Sequence, residues 1–174
     1  MKKLMILLLV LCLFCMPFAC AEEAQEVLMA PEILVYDGEG NEVLFSEVRE
    51  KCAVLNFWAT WCGPCKGELP FFEEMYKKYG EDVQFFMIDL TDGSRDTVES
   101  VKAFIEENGY TFPVYYDSEG IAAYVYGISS IPVTVFVNAD GEFVRGYVGA
   151  LDEEVLEQEL TALIGTELTE ETDR

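Results

Sequence analysis

An α/β sandwich around a mixed β-sheet is the fold class this sequence predicts. Three observations carry it. Two apolar runs, residues 53–59 and 83–90, read as strands, the first over 53–58 with the pattern of a strand buried on both faces. Each is followed by a stretch whose apolar residues recur at helical spacing. Paired short apolar runs around Gly, Asn and Asp read as hairpins at the start and near the end. Strands alternating with helices, then a hairpin and a helix, pack as helices over a sheet.

In chain order, Met1-Lys2-Lys3 is a short basic start, residues 4–18 are almost wholly apolar, and Ala19-Cys20-Ala21 are small. This predicts a signal peptide over residues 1–21, cut after Ala21. A retained anchor stays open, because the run is near the lower length limit for a membrane span. So does lipidation at Cys20. Residues 22–30 are polar and acidic and read as a tether. Ile33-Leu34-Val35-Tyr36 and Glu42-Val43-Leu44-Phe45 flank Asp37-Gly38-Glu39-Gly40-Asn41, where Gly and Asn supply positive φ, so a hairpin is expected. The strand from Ala53 leads to a helix with Leu69, Phe72, Tyr76 and Tyr79 on one face, Pro70 inside and Gly80 as its stop. After the strand at 83–90, Thr91-Asp92-Gly93 turns the chain into a helix over 94–108, with Val98, Val101, Phe104 and Ile105 inward and Gly109 closing it. Val114-Tyr115-Tyr116 is a short strand, and Ser118 is a candidate cap for a helix ending at Tyr126 before Gly127. Residues 133–137 and 143–148 bracket Asn138-Ala139-Asp140-Gly141 as a second hairpin. A last helix is expected over 152–164, with Val155, Leu156, Leu160 and Leu163 inward, and the acidic residues 166–174 as a frayed tail. No internal repeat is visible, and one domain over 31–165 is expected.

The formal net charge is −22, and removing residues 1–21 with Lys2 and Lys3 makes it −24. Nucleic-acid binding, which needs a basic surface, is excluded as a function class. Adhesion to anionic lipid is disfavoured on the same ground. Solubility outside the cytoplasm is the plain reading of the acidity.

Chemistry concentrates in Trp61-Cys62-Gly63-Pro64-Cys65-Lys66, between a strand and a helix. Residues three apart on a helix are neighbours, so the two sulfurs can close a small ring. Cys62 falls at the N-cap, where free N–H groups and the positive end of the helix dipole favour a thiolate. Gly63 allows the tight entry, and Pro64 fits the first turn, where its missing N–H is not needed. Cys65, one turn in, is the more shielded thiol. This suits reversible dithiol–disulfide exchange. Cys12 and Cys15 have the same spacing but sit in the apolar leader, without strand or helix context. Zinc would need two further ligands. The chain has no histidine, and outside the leader only Cys52 remains. An inert disulfide closing so short a loop would add little stability. No metal or other cofactor is expected beyond a redox-active Cys62–Cys65 disulfide.

Neighbouring residues admit two readings each. Glu68, three after Cys65, is either a solvated helix glutamate or a carboxylate that exchanges a proton with the buried thiol. Lys66 reads as an exposed lysine or a long-range aid to the thiolate. Trp61 stands beside Cys62 as a shield or contact platform, whereas Trp58 reads as core. Cys52 reads as a small core residue or a third functional thiol. Pro132 is either a tolerated first strand residue or part of a cis Ile131–Pro132 bond.

Residues 56–66, Asn-Phe-Trp-Ala-Thr-Trp-Cys-Gly-Pro-Cys-Lys, with Glu68, Pro70 and Ile131-Pro132, resemble the thioredoxin superfamily. More narrowly, the leader, the hairpin before the first core strand and the insert at 94–108 resemble exported TlpA/ResA-like thiol–disulfide oxidoreductases. The resemblance spans about residues 30–164. It implies a thioredoxin-like three-layer sandwich with a central mixed sheet, an N-terminal β-hairpin and a helical insert. It implies Cys62 as nucleophile, Cys65 as resolving thiol and Glu68 as the acid/base residue. Trp61, Gly63, Pro64, Ile131 and a cis Pro132 would face the substrate, the Ile131 backbone pairing with it. Thioredoxin itself has a buried aspartate where this chain has Asn56, which cannot ionise, so the resemblance places proton handling at Glu68. The expected function is reduction of protein disulfides by an exported, monomeric protein, in the periplasm, secreted, or tethered outside the cytoplasmic membrane. Its partners would be disulfide-bearing clients, apocytochrome c among them, and a membrane thiol transporter as electron donor. An oxidase or isomerase of secreted proteins, a peroxidase, and a non-catalytic redox-sensing module that binds a partner are the alternatives.

Overall fold

The computed structural model describes residues 27–172. The expected signal peptide, with Cys12, Cys15 and Cys20, and residues 22–26 of the expected tether lie outside the described residues. Seven strands form one mixed sheet in the order β2-β1-β5-β4-β3-β6-β7. They are β1 (Leu34–Tyr36), β2 (Glu42–Leu44), β3 (Ala53–Trp58), β4 (Gln84–Asp89), β5 (Val114–Tyr116), β6 (Val133–Val137) and β7 (Phe143–Val148). The central β3, β4 and β5 run parallel, and the outer pairings are antiparallel.

Helices cover both faces: α1 (Phe45–Val48), α2 (Gly63–Tyr79), α3 (Val98–Asn108), α4 (Ile121–Val125) and α5 (Glu153–Thr172). Strand alternation sorts the core into two layers. Val54 and Trp58 of β3 pack with Phe85, Met87, Phe136, Leu69, Phe72, Leu156 and Leu160 on the side of α2 and α5. Ala53, Leu55 and Phe57 pack with Ile33, Phe45, Phe86, Ile88 and Ala122 on the other. The expected three-layer α/β sandwich with an N-terminal hairpin and a helical insert is the fold observed.

Several boundaries differ for physical reasons. The insert helix starts at Val98, not Ser94, because Asp92 accepts from the N–H groups of Ser94, Arg95 and Asp96 and turns the backbone there. Thr97 then caps α3 in a reciprocal box with Ser100. Ser118 does not cap α4. Gly120 is the N-cap, and from outside the helix the two Asp117 carboxylate oxygens accept from the Ala122 and Ala123 N–H groups at 3.0 and 2.8 Å. Gly40 alone supplies positive φ in the first hairpin, and Asn41 is held by the Asp37 side chain instead. The α5 helix continues to Thr172, through residues expected to fray. Within the expected tether, the Leu28 carbonyl accepts from the Phe143 N–H at the start of β7, and the Ala30 N–H donates to the Gly141 carbonyl in the turn before it.

Candidate active site

At the end of β3 the chain turns through Thr60 and Trp61, with the Cys62 N–H closing on the Ala59 carbonyl at 3.1 Å. Cys62 is the N-cap of α2, with Pro64 in the first turn. It forms a disulfide with Cys65, Cα to Cα 5.2 Å. The Cys65 N–H donates to Cys62 Sγ at 3.2 Å. A sulfur in this position is stabilised as an anion by the free N–H groups of the first turn. Cys62 keeps 5 % of its surface exposed and Cys65 none. The outer sulfur is therefore the accessible one.

Ile131–Pro132 is a cis peptide. The Ile131 carbonyl oxygen lies 3.7 Å from Cys62 Sγ. Gly149 N–H ties down the Pro132 carbonyl at 2.8 Å. Trp61 is 41 % exposed beside Cys62, while Trp58 is fully buried. Lys66 is exposed, and Gly63 and Pro64 are exposed at the mouth of the helix. The structure thus brings together Trp61, Cys62, Gly63, Pro64, Cys65, Ile131 and Pro132.

Glu68 is not solvated. It is 1 % exposed, on the inner face of α2 one turn beyond Cys65. Its Oε2 accepts from the Leu151 N–H and its Oε1 from Asn56 Nδ2, each at 2.8 Å. Asn56 Nδ2 also donates to Thr134 Oγ1 at 3.1 Å, and the two residues are cross-strand partners. Burial pushes the Glu68 carboxyl up to about 7, against the pull of the Leu151 and Asn56 donors. A carboxyl at that value holds and releases protons at neutral pH. The Asn56 Oδ1 is buried without a partner.

Cys52 is buried just before β3, 3.6 Å from the Asp82 carbonyl, which fits a core residue. Among the described residues no group of three or more His, Cys, Asp or Glu side chains is placed to hold a metal ion. None of the described helices is long and apolar enough to cross a membrane.

The AhpC/TSA family profile matches residues 28–145, most of the chain and the whole site apart from the α5 flank. The chain belongs to the AhpC/TSA family. A thiol-disulfide oxidoreductase ResA of Bacillus thuringiensis (strain Al Hakam) is 34% identical over 141 residues, 80% of this chain and 79% of that protein. The thioredoxin-like protein YneN of Bacillus subtilis (strain 168) is 31% identical over 136 residues, 78% of this chain and 79% of that protein. Among solved structures, StoA from Bacillus subtilis superimposes with a TM-score of 0.64 at 29% identity, over 77% of this chain and 98% of that one. A putative thiol:disulfide interchange protein DsbE from Chlorobium tepidum gives 0.70 at 26%, over 80% and 97%. This family member has the thioredoxin fold and is a thiol–disulfide oxidoreductase of the ResA type. The relationship fits the dithiol geometry described above.

Three residues at the site were not read from the sequence. Asp96 and Arg95 meet the turn that leads into Cys62, and Asp89 lies beside Asp96. A carboxylate ending an otherwise apolar strand, as Asp89 does, was the available signal.

Proposed function

We propose that this protein reduces disulfides of client proteins outside the cytoplasm. The observation that carries the chemistry is the Cys62–Cys65 disulfide at the mouth of α2, with only Cys62 open to solvent. In the reduced state the Cys62 thiolate attacks a client disulfide. One client sulfur leaves as a thiolate and takes a proton, and Cys62 is left in a mixed disulfide. Glu68 then accepts the proton of Cys65, whose thiolate attacks Cys62 Sγ and expels the second client thiol. The client gains two electrons, and the protein is left with the disulfide seen here. Trp61, Gly63, Pro64, Ile131 and Pro132 form the surface on which the client lies, the Ile131 backbone pairing with it.

The Gly-Pro dipeptide between the cysteines, the one thioredoxin carries, supports a reductant over an oxidant. Export follows from the leader read over residues 1–21. It is supported by a solved structure of similar fold, 26% identical, described as a secreted mycobacterial disulfide oxidoreductase. Outside the cytoplasm no soluble thiol pool re-reduces the pair, so a membrane thiol transporter is the donor. Apocytochrome c is a fitting client, and the protein acts as a monomer.

The test is the reduction potential of the Cys62–Cys65 pair, set by equilibration of the oxidised protein with a thiol buffer. The reductase reading expects a value near the thioredoxin figure of about −270 mV. A value near the DsbA figure of about −120 mV would make the protein an oxidant and remove the reading.

A further inference from the structure

Between β4 and α3 the chain makes a tight turn over residues 92–96. Asp92 builds it, accepting from the N–H groups of Ser94 and Arg95 at 2.8 and 2.6 Å and from Arg95 Nε at 2.8 Å. Two side chains leave this turn toward the segment that carries Cys62. Asp96, fully buried, accepts from the Thr60 N–H at 2.8 Å and from the Thr60 hydroxyl. Arg95, its Nε held by Asp92, lies over the Trp61 ring, 3.7 Å from its centre.

Thr60 and Trp61 are the two central residues of the turn closed by Cys62 and Ala59. The N–H of the first central residue has no acceptor inside such a turn, so it must find one outside. Asp96 is that acceptor, and it comes from 36 residues away in sequence. A carboxylate is a costly thing to bury unless donors satisfy it, and Thr60 supplies two.

We propose that Asp96 is a positioning residue for the dithiol: its carboxylate clamps Thr60, fixes the turn before Cys62 and so sets the attack geometry of the nucleophile. Arg95 on Trp61 is the second point of the same clamp. The proposal deepens the dithiol-exchange reading and rests on it. Asp89, at the end of β4, supports Asp96. Its Oδ1 accepts from Thr91 Oγ1 at 2.8 Å, and its Oδ2 is buried with no donor. Burial raises its carboxyl to about 8 against the Thr91 hydrogen bond, with Asp96 and Asp92 adding to the rise. Two neighbouring carboxyls do not both ionise readily. A proton held on Asp89 relieves the repulsion between the two neighbouring carboxyls. The neighbouring phenol of Tyr116 is raised too, by burial and then by Asp89 and Glu99, and remains a neutral neighbour.

The signs separate a clamp from a simple charge. A carboxylate acting only by its field opposes the Cys62 thiolate, so removing it would speed attack at neutral pH. Removing a clamp slows attack even where Cys62 is fully ionised. The experiment is the single-turnover reaction of the reduced full chain, in a Cys65→Ser background, with a dipyridyl disulfide across pH. Variants are Asp96→Ala, Thr60→Val, Thr60→Ser and Asp117→Ala, the last removing a comparably buried carboxylate from the start of α4. We expect the alkaline plateau rate to fall at least fivefold in Asp96→Ala and threefold in Thr60→Val. Thr60→Ser, which keeps the hydroxyl, and Asp117→Ala should stay within twofold. A faster Asp96→Ala at neutral pH overturns the clamp, as does an equal loss in Asp117→Ala, or no loss in either Asp96→Ala or Thr60→Val. If Asp96→Ala does not fold, Thr60→Val against Thr60→Ser decides alone. A parent chain that leaves the probe intact sinks the dithiol reading itself, a result distinct from all of these.

Discussion

At the scale of single residues, Glu68 concentrates the unusual physics of the site. Its carboxyl is closed off from water, yet both oxygens accept hydrogen bonds that favour its charged form. Burial wins, and the group is raised from 4.5 to about 7. Proton transfer by a placed side chain is worth roughly 10²–10⁴ in rate. Glu68→Gln should therefore slow resolution of a trapped Cys62 mixed disulfide by about 10²-fold at pH 7 and erase the limb of its pH profile near 7. Stopped-flow release of the client thiol measures this; an unchanged pH profile would remove Glu68 from proton handling. The sequence showed Glu68 one turn after Cys65, but not its burial. That burial depends on the Leu151 N–H and on Asn56, 83 and 12 residues away. Asn56 was legible only as a residue that cannot ionise. Its pairing opposite Thr134, which puts both under the helix, is a property of sheet register. Asp96 was silent for the same reason: nothing local links it to Thr60.

At the scale of elements, β6 and β7 span the ranges read from their apolar runs, and β3 stops one residue short of its run, although β6 is buried throughout and β7 is a mostly exposed edge strand. Helix starts were less legible. Asp92 and Asp117 turn the backbone through side-chain hydrogen bonds, and periodicity does not register such turns. The same holds for the far half of α2. Its apolar face, Leu69 and Phe72, was readable from spacing. Glu73, on that helix, was not singled out, although it ties α2 to the segment before β5. It accepts from the Thr111 N–H and hydroxyl at 2.7 Å each and from the Phe112 N–H at 3.3 Å. Burial pushes its carboxyl up, but Lys77, Thr111 and Phe112 outweigh this and hold it below the ordinary value. Removing this acceptor orphans the buried Phe112 N–H, at about 1–3 kcal/mol, and frees the part-buried Thr111 donors at a smaller cost. Glu73→Ala should lose about 2–3 kcal/mol in denaturant unfolding of the oxidised protein and leave the balance with a thiol buffer unchanged. A shifted redox balance would mean that the far end of α2 is coupled to the cysteines.

At the scale of the whole molecule, stability should fall as pH rises from about 5 to 8, the reverse of what lowered carboxyls produce. The chain has no histidine, and in the disulfide form Cys62 and Cys65 do not titrate. Glu68 and Asp89 are left as the raised carboxyls, at about 7 and about 8. Above pH 4.5 the unfolded chain releases the Glu68 proton while the folded chain keeps it. The unfolded state then binds fewer protons, so rising pH favours unfolding until the folded group also ionises near 7. A rise from 4.5 to about 7, at 1.36 kcal/mol per pH unit, is a loss of about 3 kcal/mol. Asp89 steepens the same slope and carries it on toward pH 8. On the acid side the sign reverses. Glu73 and Asp37 lie below their ordinary values, so what they contribute is present above pH 4 and lost as pH falls. The stability maximum should therefore stand near pH 5, well above the isoelectric point of about 4.1. Denaturant unfolding of the oxidised chain at high salt, which screens repulsion among the surface carboxylates, should show the decline. Glu68→Gln and Asp89→Asn should each flatten it, and the double variant should be level between pH 5 and 8. A wild-type chain as stable at pH 8 as at pH 5 would mean that both carboxyls are already ionised in the fold. Glu68 would then accept the Cys65 proton without first having to lose its own, and Asp96 would hold Thr60 without a protonated neighbour.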